Sequence, residues 1–154
     1  MADQARERIT VDAPVEVCFE VLTDFERYPE WAGDLKDVSV VERDAEGRAV
    51  VVEFRAAAMG RSTTYRLRYD YSGAPHRLSW RLESGDIQRE LDGAYELAPA
   101  DGRPDRTDIG YELSIDLIMP IPGFVKRRAE TRILKTALDE LKARVESIVR
   151  PSSE

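Results

Sequence analysis

Chemistry at neutral pH needs groups that titrate, attack or coordinate, and here they stand alone. The 154 residues hold one His and one Cys. His76 lies in the turn Ala74-Pro75-His76-Arg77, with no Ser or Cys partner beside it, so it reads as a solvated residue. Cys18 falls on the apolar stripe of an early helical segment, where a thiol behaves as a small hydrophobe. A nucleophile–base–orienter arrangement is therefore unsupported. One Cys excludes an internal disulfide framework and an all-Cys zinc site, and one His excludes His-pair zinc motifs. No metal and no cofactor is expected. What remains is hydroxyls, arginines and aromatic rings. A phenol with its ordinary pKa near 10 is a poor base at neutral pH. Such a set suits binding, or catalysis by positioning and electrostatics.

The elements that must position these groups follow from periodicity. Ile9–Val11 is a short β-type piece. Asp12-Ala13-Pro14 reads as a helix start with Asp12 as cap. Val15, Cys18 or Phe19, Leu22 and Phe25 recur at helical spacing, and Tyr28-Pro29 ends the helix near Asp24. Tyr28-Pro29-Glu30-Trp31 is a loop or a short second helix, and its aromatic rings around a rigid Pro suit a cavity entrance. From Leu35 the period becomes two, through about six antiparallel strands separated by Gly- and Pro-bearing turns. The clearest alternation sets Thr63, Tyr65, Leu67, Tyr69 and Tyr71 against Thr64, Arg66, Arg68 and Asp70. After Pro122-Gly123 the period turns to 3.6, with Leu134, Leu138, Leu141, Val145 and Ile148 on one stripe. This long helix spans about Gly123 to Val149, with Pro151 past its end.

Strand phase then assigns candidates. The face toward the long helix carries Phe54, Tyr65, Tyr69, Trp80, Ser84, Tyr95 and Tyr111, among aliphatic residues. Aromatic walls with a few hydroxyls suit a large, flat, mostly apolar ligand; a filled core is the alternative. Arg89 is in phase with Leu91, Gly93 and Tyr95, which points it inward, unless a bulge at Gly85 or Gly93 flips the phase. An inward Arg would hold an anion or enolate. Glu53 has apolar neighbours on both faces, so its side is ambiguous. Tracing the helix stripe back from Leu134 reaches Thr131, Arg127 or Arg128, and Phe124, a change from leucines to polar groups that suggests a mouth. A solvated helix end is the alternative. Arg66, Arg68, Arg77 and Arg81 interleave with Asp70, Glu83 and Glu90 on the other sheet face, as cross-strand ion pairs would.

Composition agrees with one domain. Apolar residues make up 42% and charged residues 34%, enough to bury a core without staples. The formal net charge of −7 argues against nucleic acid as a partner. The apolar stretch Leu117 to Val125 is short and broken by Pro120 and Pro122, so no integral membrane segment is expected. Met1 to Arg8 carries no signal-peptide core, which points to a cytoplasmic protein. Residues 1–7 and 151–154 are expected to be flexible ends around a single domain at 8–150.

Several segments carry a family resemblance. They are Thr23-Asp24-Phe25-Glu26-Arg27-Tyr28-Pro29-Glu30-Trp31, Leu91-Asp92-Gly93-Ala94-Tyr95-Glu96-Leu97, and Pro120-Ile121-Pro122-Gly123-Phe124-Val125-Lys126-Arg127-Arg128. In this order they resemble the polyketide cyclase/dehydrase and coenzyme Q-binding branch of the START-like (SRPBCC) superfamily. The resemblance implies an α+β helix-grip fold: a curved antiparallel sheet wrapped around a long C-terminal helix, with one or two short helices after the first strand. It also implies a deep cavity. The ligand-binding candidates are then Tyr28, Trp31, Phe54, Tyr65, Tyr69, Trp80, Ser84, Arg89, Tyr95, Tyr111, Phe124, Arg127, Arg128 and Thr131.

Fold alone does not fix activity. The scarcity of acids and bases favours binding or transport of a hydrophobic small molecule, such as a quinone, lipid or polyketide-like compound. The alternative is a polyketide aromatase/cyclase that promotes aldol cyclisation and dehydration of a poly-β-keto chain. Oligomeric state is not readable, and a homodimer stays open.

Overall fold

Seven strands pair into one antiparallel sheet in the order β1-β7-β6-β5-β4-β3-β2. The computed structural model describes residues 5–58 and 60–149. In chain order the elements are β1 (Ala5–Val11), α1 (Val15–Thr23), a 3-10 helix (Phe25–Glu30), β2 (Leu35–Arg43), β3 (Ala49–Ala58), β4 (Arg61–Asp70), β5 (Arg77–Gly85), β6 (Gln88–Ala100), β7 (Arg103–Leu117) and α2 (Gly123–Val149). Strands β2 to β7 form a continuous meander. β1 closes the far edge against β7, so β1 and β2 lie at opposite edges. The chain between them must cross the sheet, and α1 and the 3-10 helix make that crossing. α2, with 27 residues and so about 40 Å long at 1.5 Å per residue, packs chiefly on β1, β7 and α1.

The core lies where these layers meet. α2 buries Leu134, Leu138, Leu141 and Val145, and α1 buries Val15, Cys18, Val21 and Leu22. They pack with Val52, Leu67, Leu78, Leu97, Ile109 and Leu113 from the inner sheet face. Burying one such side chain is worth about 1.5–3 kcal/mol. For these residues the period-two and 3.6-period patterns identify the right faces, whereas Ile148, expected on the α2 stripe, is exposed. Thr107, fully buried, donates to the Ala13 carbonyl at 2.7 Å and ties β7 to the start of α1.

Two points differ from the sequence reading. β1 begins at Ala5, because Ala5–Glu7 pair with Leu113–Tyr111; the flexible segment expected over 1–7 is a paired strand from residue 5 onward. The expected flexible end at 151–154 lies outside the described residues. Asp12 does not cap α1: Pro14 is the N-cap, with no side-chain cap bond. Asp12 instead pairs with Arg106 at 2.9 Å, and its N–H donates to Glu146 at 2.9 Å, which fastens the chain to the last turns of α2. Pro29 sits inside the 3-10 helix, where the tighter turn accommodates it.

Candidate functional site

The inner face is an aromatic sheet within the sheet. Neighbouring strands bring period-two residues together, and the rings meet edge to face or tilted, as aromatic quadrupoles prefer. Tyr69 and Trp80 have centroids 5.7 Å apart, Trp80 and Tyr95 5.4 Å, and Tyr95 and Tyr111 4.4 Å. Phe54 stacks on Tyr65 at 5.4 Å. Phe25 joins from the 3-10 helix, 4.5 Å from Tyr69. Gly93 makes the contact with Trp80 possible. A Cβ there would stand 2.7 Å from the indole ring and 2.5 Å from the Glu112 carbonyl oxygen.

Burial is uneven along this face. Leu78, Trp80, Tyr69 and Tyr95 are sealed. Toward the start of α2 the inward residues Tyr65, Leu82, Leu91, Tyr111 and Ile115 are only partly buried. Yet Tyr65 and Tyr111 sit in surroundings dry enough that burial pushes both phenols well above their ordinary range. Tyr95 and Tyr111 hydrogen-bond each other. The hydroxyls of Tyr65 and Tyr69 have no hydrogen-bond partner among the described residues.

The polar end of this face differs from expectation. Arg89 is exposed, 3.9 Å from Asp116, and donates to the Leu117 carbonyl at 3.4 Å. A register shift between Gln88 and Glu90 flips the strand there, so the buried inward residue is Gln88. Gln88 donates through Nε2 to Thr63 Oγ1 at 3.0 Å, and Thr63 donates to Asp86. Ser84 is also off the inner face: a shift between Arg66 and Leu67 sets it opposite Arg66, exposed. The open groove of about 410 Å³ beside Arg89 lies on the charged outer face. Its three arginines face Glu83, Glu90, Asp92 and Asp116, and Arg68 already binds Glu83 at 2.8 Å. That groove is a solvated ion-pair lattice. Glu53 belongs to the outer face too, 2.9 Å from Arg66.

On α2 the expected polar stripe is also displaced. Phe124, Arg127 and Arg128 are exposed, and Thr131 is half-buried. The residue that turns inward is Glu130, 2% exposed, with Lys126 Nζ at 4.0 Å. It is the only buried Asp, Glu, Lys or Arg among the described residues. It sits one turn before Leu134, and the four-residue step from Leu138 to Leu134 continues to Glu130. That step was the sequence signal for it. Gln88 had none, because only the register of β6 against β7 reveals the bulge.

Tyr28 and Trp31 sit at the crossing segment. Tyr28 is buried, and its hydroxyl donates to the Leu22 carbonyl; its ring packs 4.9 Å from Trp31. Glu30 binds Arg144 at 2.8 Å, and Gly33 donates to Glu140 at 3.2 Å. The segment is thus pinned to α2. Tyr28 is a strut, and Trp31 is left half-buried. His76 makes a 3.0 Å bond to the Leu97 carbonyl, away from the rings. Burial raises the Cys18 thiol, so little reactive thiolate forms there. No cluster of three metal-ligating side chains exists among the described residues, and no helix there is long and apolar enough to cross a membrane.

A curved antiparallel sheet gripping a long C-terminal helix over an aromatic inner face defines a START-like helix-grip protein. The chain belongs to the polyketide cyclase / dehydrase and lipid transport family, which matches residues 3–146. Among solved structures it is similar to a START superfamily protein from Mycobacterium smegmatis, with 22% identity, a TM-score of 0.88, and coverage of 94% of this chain and 98% of that one. It is similar to the Zhui aromatase/cyclase from Streptomyces sp. R1128, with 18% identity, a TM-score of 0.82, and 99% of each chain covered. It is also similar to a Thermus thermophilus protein, TTHA0849, with 20% identity, a TM-score of 0.74, and coverage of 98% and 100%. No curated protein sequence matches the chain.

Proposed function

We propose that this protein binds a ring-bearing, largely apolar small molecule between the inner sheet face and the first half of α2, and carries it. The observation that supports this reading is the pair of phenols at Tyr65 and Tyr69. Each lies in a dry aromatic surround with no hydrogen-bond partner among the described residues. A phenol hydroxyl with no protein partner is free to bond a ligand oxygen while its ring packs against apolar surface. A carbonyl or hydroxyl oxygen on a quinone, lipid or polyketide-like molecule would satisfy it. The phenols are raised, so they donate and do not abstract protons at neutral pH.

Glu130 supports a second reading, polyketide cyclisation. Its carboxylate could take the proton next to one carbonyl. The enolate carbon would attack a second carbonyl, the resulting alkoxide would take the proton back as a hydroxyl, and loss of a second proton from the same carbon together with that hydroxyl would release water. Solvent extraction of protein from its native host, followed by mass spectrometry, tests the pair. A stable quinone or lipid supports carriage. A cyclised aromatic polyketide, with its formation lost in Glu130→Gln, supports the enzyme. For the carrier, Tyr65→Phe should weaken binding of the extracted molecule by about 0.5–1.5 kcal/mol, the net value of one hydrogen bond, with no loss of thermal stability.

A further inference from the structure

Large apolar side chains left in solvent are concentrated at one place. Of the six such residues among the described ones, Ile118, Phe124, Val125 and Ile133 fall in the loop before α2 and in its first three turns. Phe124 is 66% exposed. The same stretch of helix is strongly basic. Between Gly123 and Leu138 stand Lys126, Arg127, Arg128, Arg132 and Lys135, while the only acid, Glu130, is buried. This lies in a chain of formal net charge −7. Val125, Arg128 and Arg132 share one helical face, opposite the buried stripe of Glu130, Leu134 and Leu138, with Phe124 and Lys135 beside them.

From this patch we propose that the start of α2 docks on an anionic lipid surface. Apolar side chains rimmed by Lys and Arg are the chemistry of interfacial binding: the rings and aliphatics enter the headgroup boundary while the cations meet lipid phosphates. The rest of the chain is acidic, but the Debye length is about 8 Å at physiological salt, so the local cations decide the encounter. The patch also borders the partly buried end of the aromatic face, where an apolar molecule would pass between protein and bilayer. The inference goes beyond ligand binding, and its test uses the empty protein, so its failure would leave the carrier reading intact.

The test is flotation of the purified full chain with vesicles of phosphatidylcholine, alone or mixed with phosphatidylglycerol, at low and high salt. The protein should float with the anionic vesicles only, and less at high salt. Phe124→Ser should lower partitioning about tenfold, by the loss of one buried aromatic side chain. Arg128→Glu with Arg132→Glu should lower it at least as much, at about fivefold per charge removed. Ile148→Ser, an exposed apolar change at the other end of α2, serves as the control and should float as the parent does. Matching thermal melts would show that the variants are folded. A parent protein that ignores anionic vesicles at low salt overturns the proposal. So does flotation that is indifferent to both the Phe124 and the double-arginine changes.

Discussion

Gln88 on β6 donates to Thr63 on β4 across 3.0 Å, bridging two strands that do not pair, and it holds the inward place that strand alternation offers to Arg89. The bulge that makes this exchange keeps a guanidinium out of a dry aromatic interior, where it would be costly without a fixed acceptor. Arg89→Met should therefore leave stability within about 0.5 kcal/mol of the parent, as surface changes usually do, and leave ligand affinity unchanged. Gln88→Leu should cost about 1 kcal/mol for the lost bond. Urea unfolding of both variants measures this. An Arg89 variant as unstable as the Gln88 one would contradict the inversion.

Gly93→Ala is expected to be far worse than an ordinary glycine substitution in a strand. The added carbon meets the Glu112 backbone carbonyl and the Trp80 ring, and the backbone cannot swing aside. Overpacking of this kind costs about 1–3 kcal/mol. A fall in the urea midpoint, with a changed tryptophan emission, would show that the Trp80 contact is the cause. An unchanged midpoint would mean the strands separate freely there.

The tyrosines should stay silent in an alkaline titration. All six are raised, chiefly by burial, and Tyr71 is pushed up to about 12. Phenolate absorbance should not develop near pH 10 while the protein remains folded. The unfolded chain ionises its tyrosines near 10, so above that pH it binds fewer protons than the folded chain, and stability falls as pH rises. Phenolate should therefore appear together with loss of the far-ultraviolet circular dichroism. A step near pH 10 in folded protein would show that the rings are open to water.

Acid should weaken the joint between β4 and the β5–β6 turn. The Thr63 hydroxyl and the Thr64 N–H, the latter at 2.9 Å, hold the Asp86 carboxyl below its usual range. A depressed carboxyl stabilises the fold above its unfolded pKa, near 4, and that contribution is lost as pH falls through the folded value. Asp86→Asn should lower the melting temperature at pH 7, and the gap to the parent should start to close only below about pH 4 and vanish once pH falls past the depressed folded value. Parallel curves at all pH values would remove Asp86 from the account.

The sequence by itself determined the layers. Alternation from Thr63 to Tyr71 and the leucine stripe from Leu134 to Val145 are local patterns. Each needs only the geometry of its own element to say which side is apolar, so the sheet, the gripping helix and the aromatic face were all legible. Arg89, Ser84 and the mouth of α2 were not. Whether a strand keeps its phase through a bulge depends on the register of its partner, as β6 against β7 and β5 against β4 show. Whether a helical residue near an end is buried depends on where the sheet beneath it stops. Glu130 lies under cover while Arg127, at neighbouring phase but one turn nearer the helix start, lies in solvent. Those two facts belong to the packing of distant segments. Only the tertiary structure could therefore exchange an expected arginine for Gln88 and leave Arg127 and Arg128 in solvent.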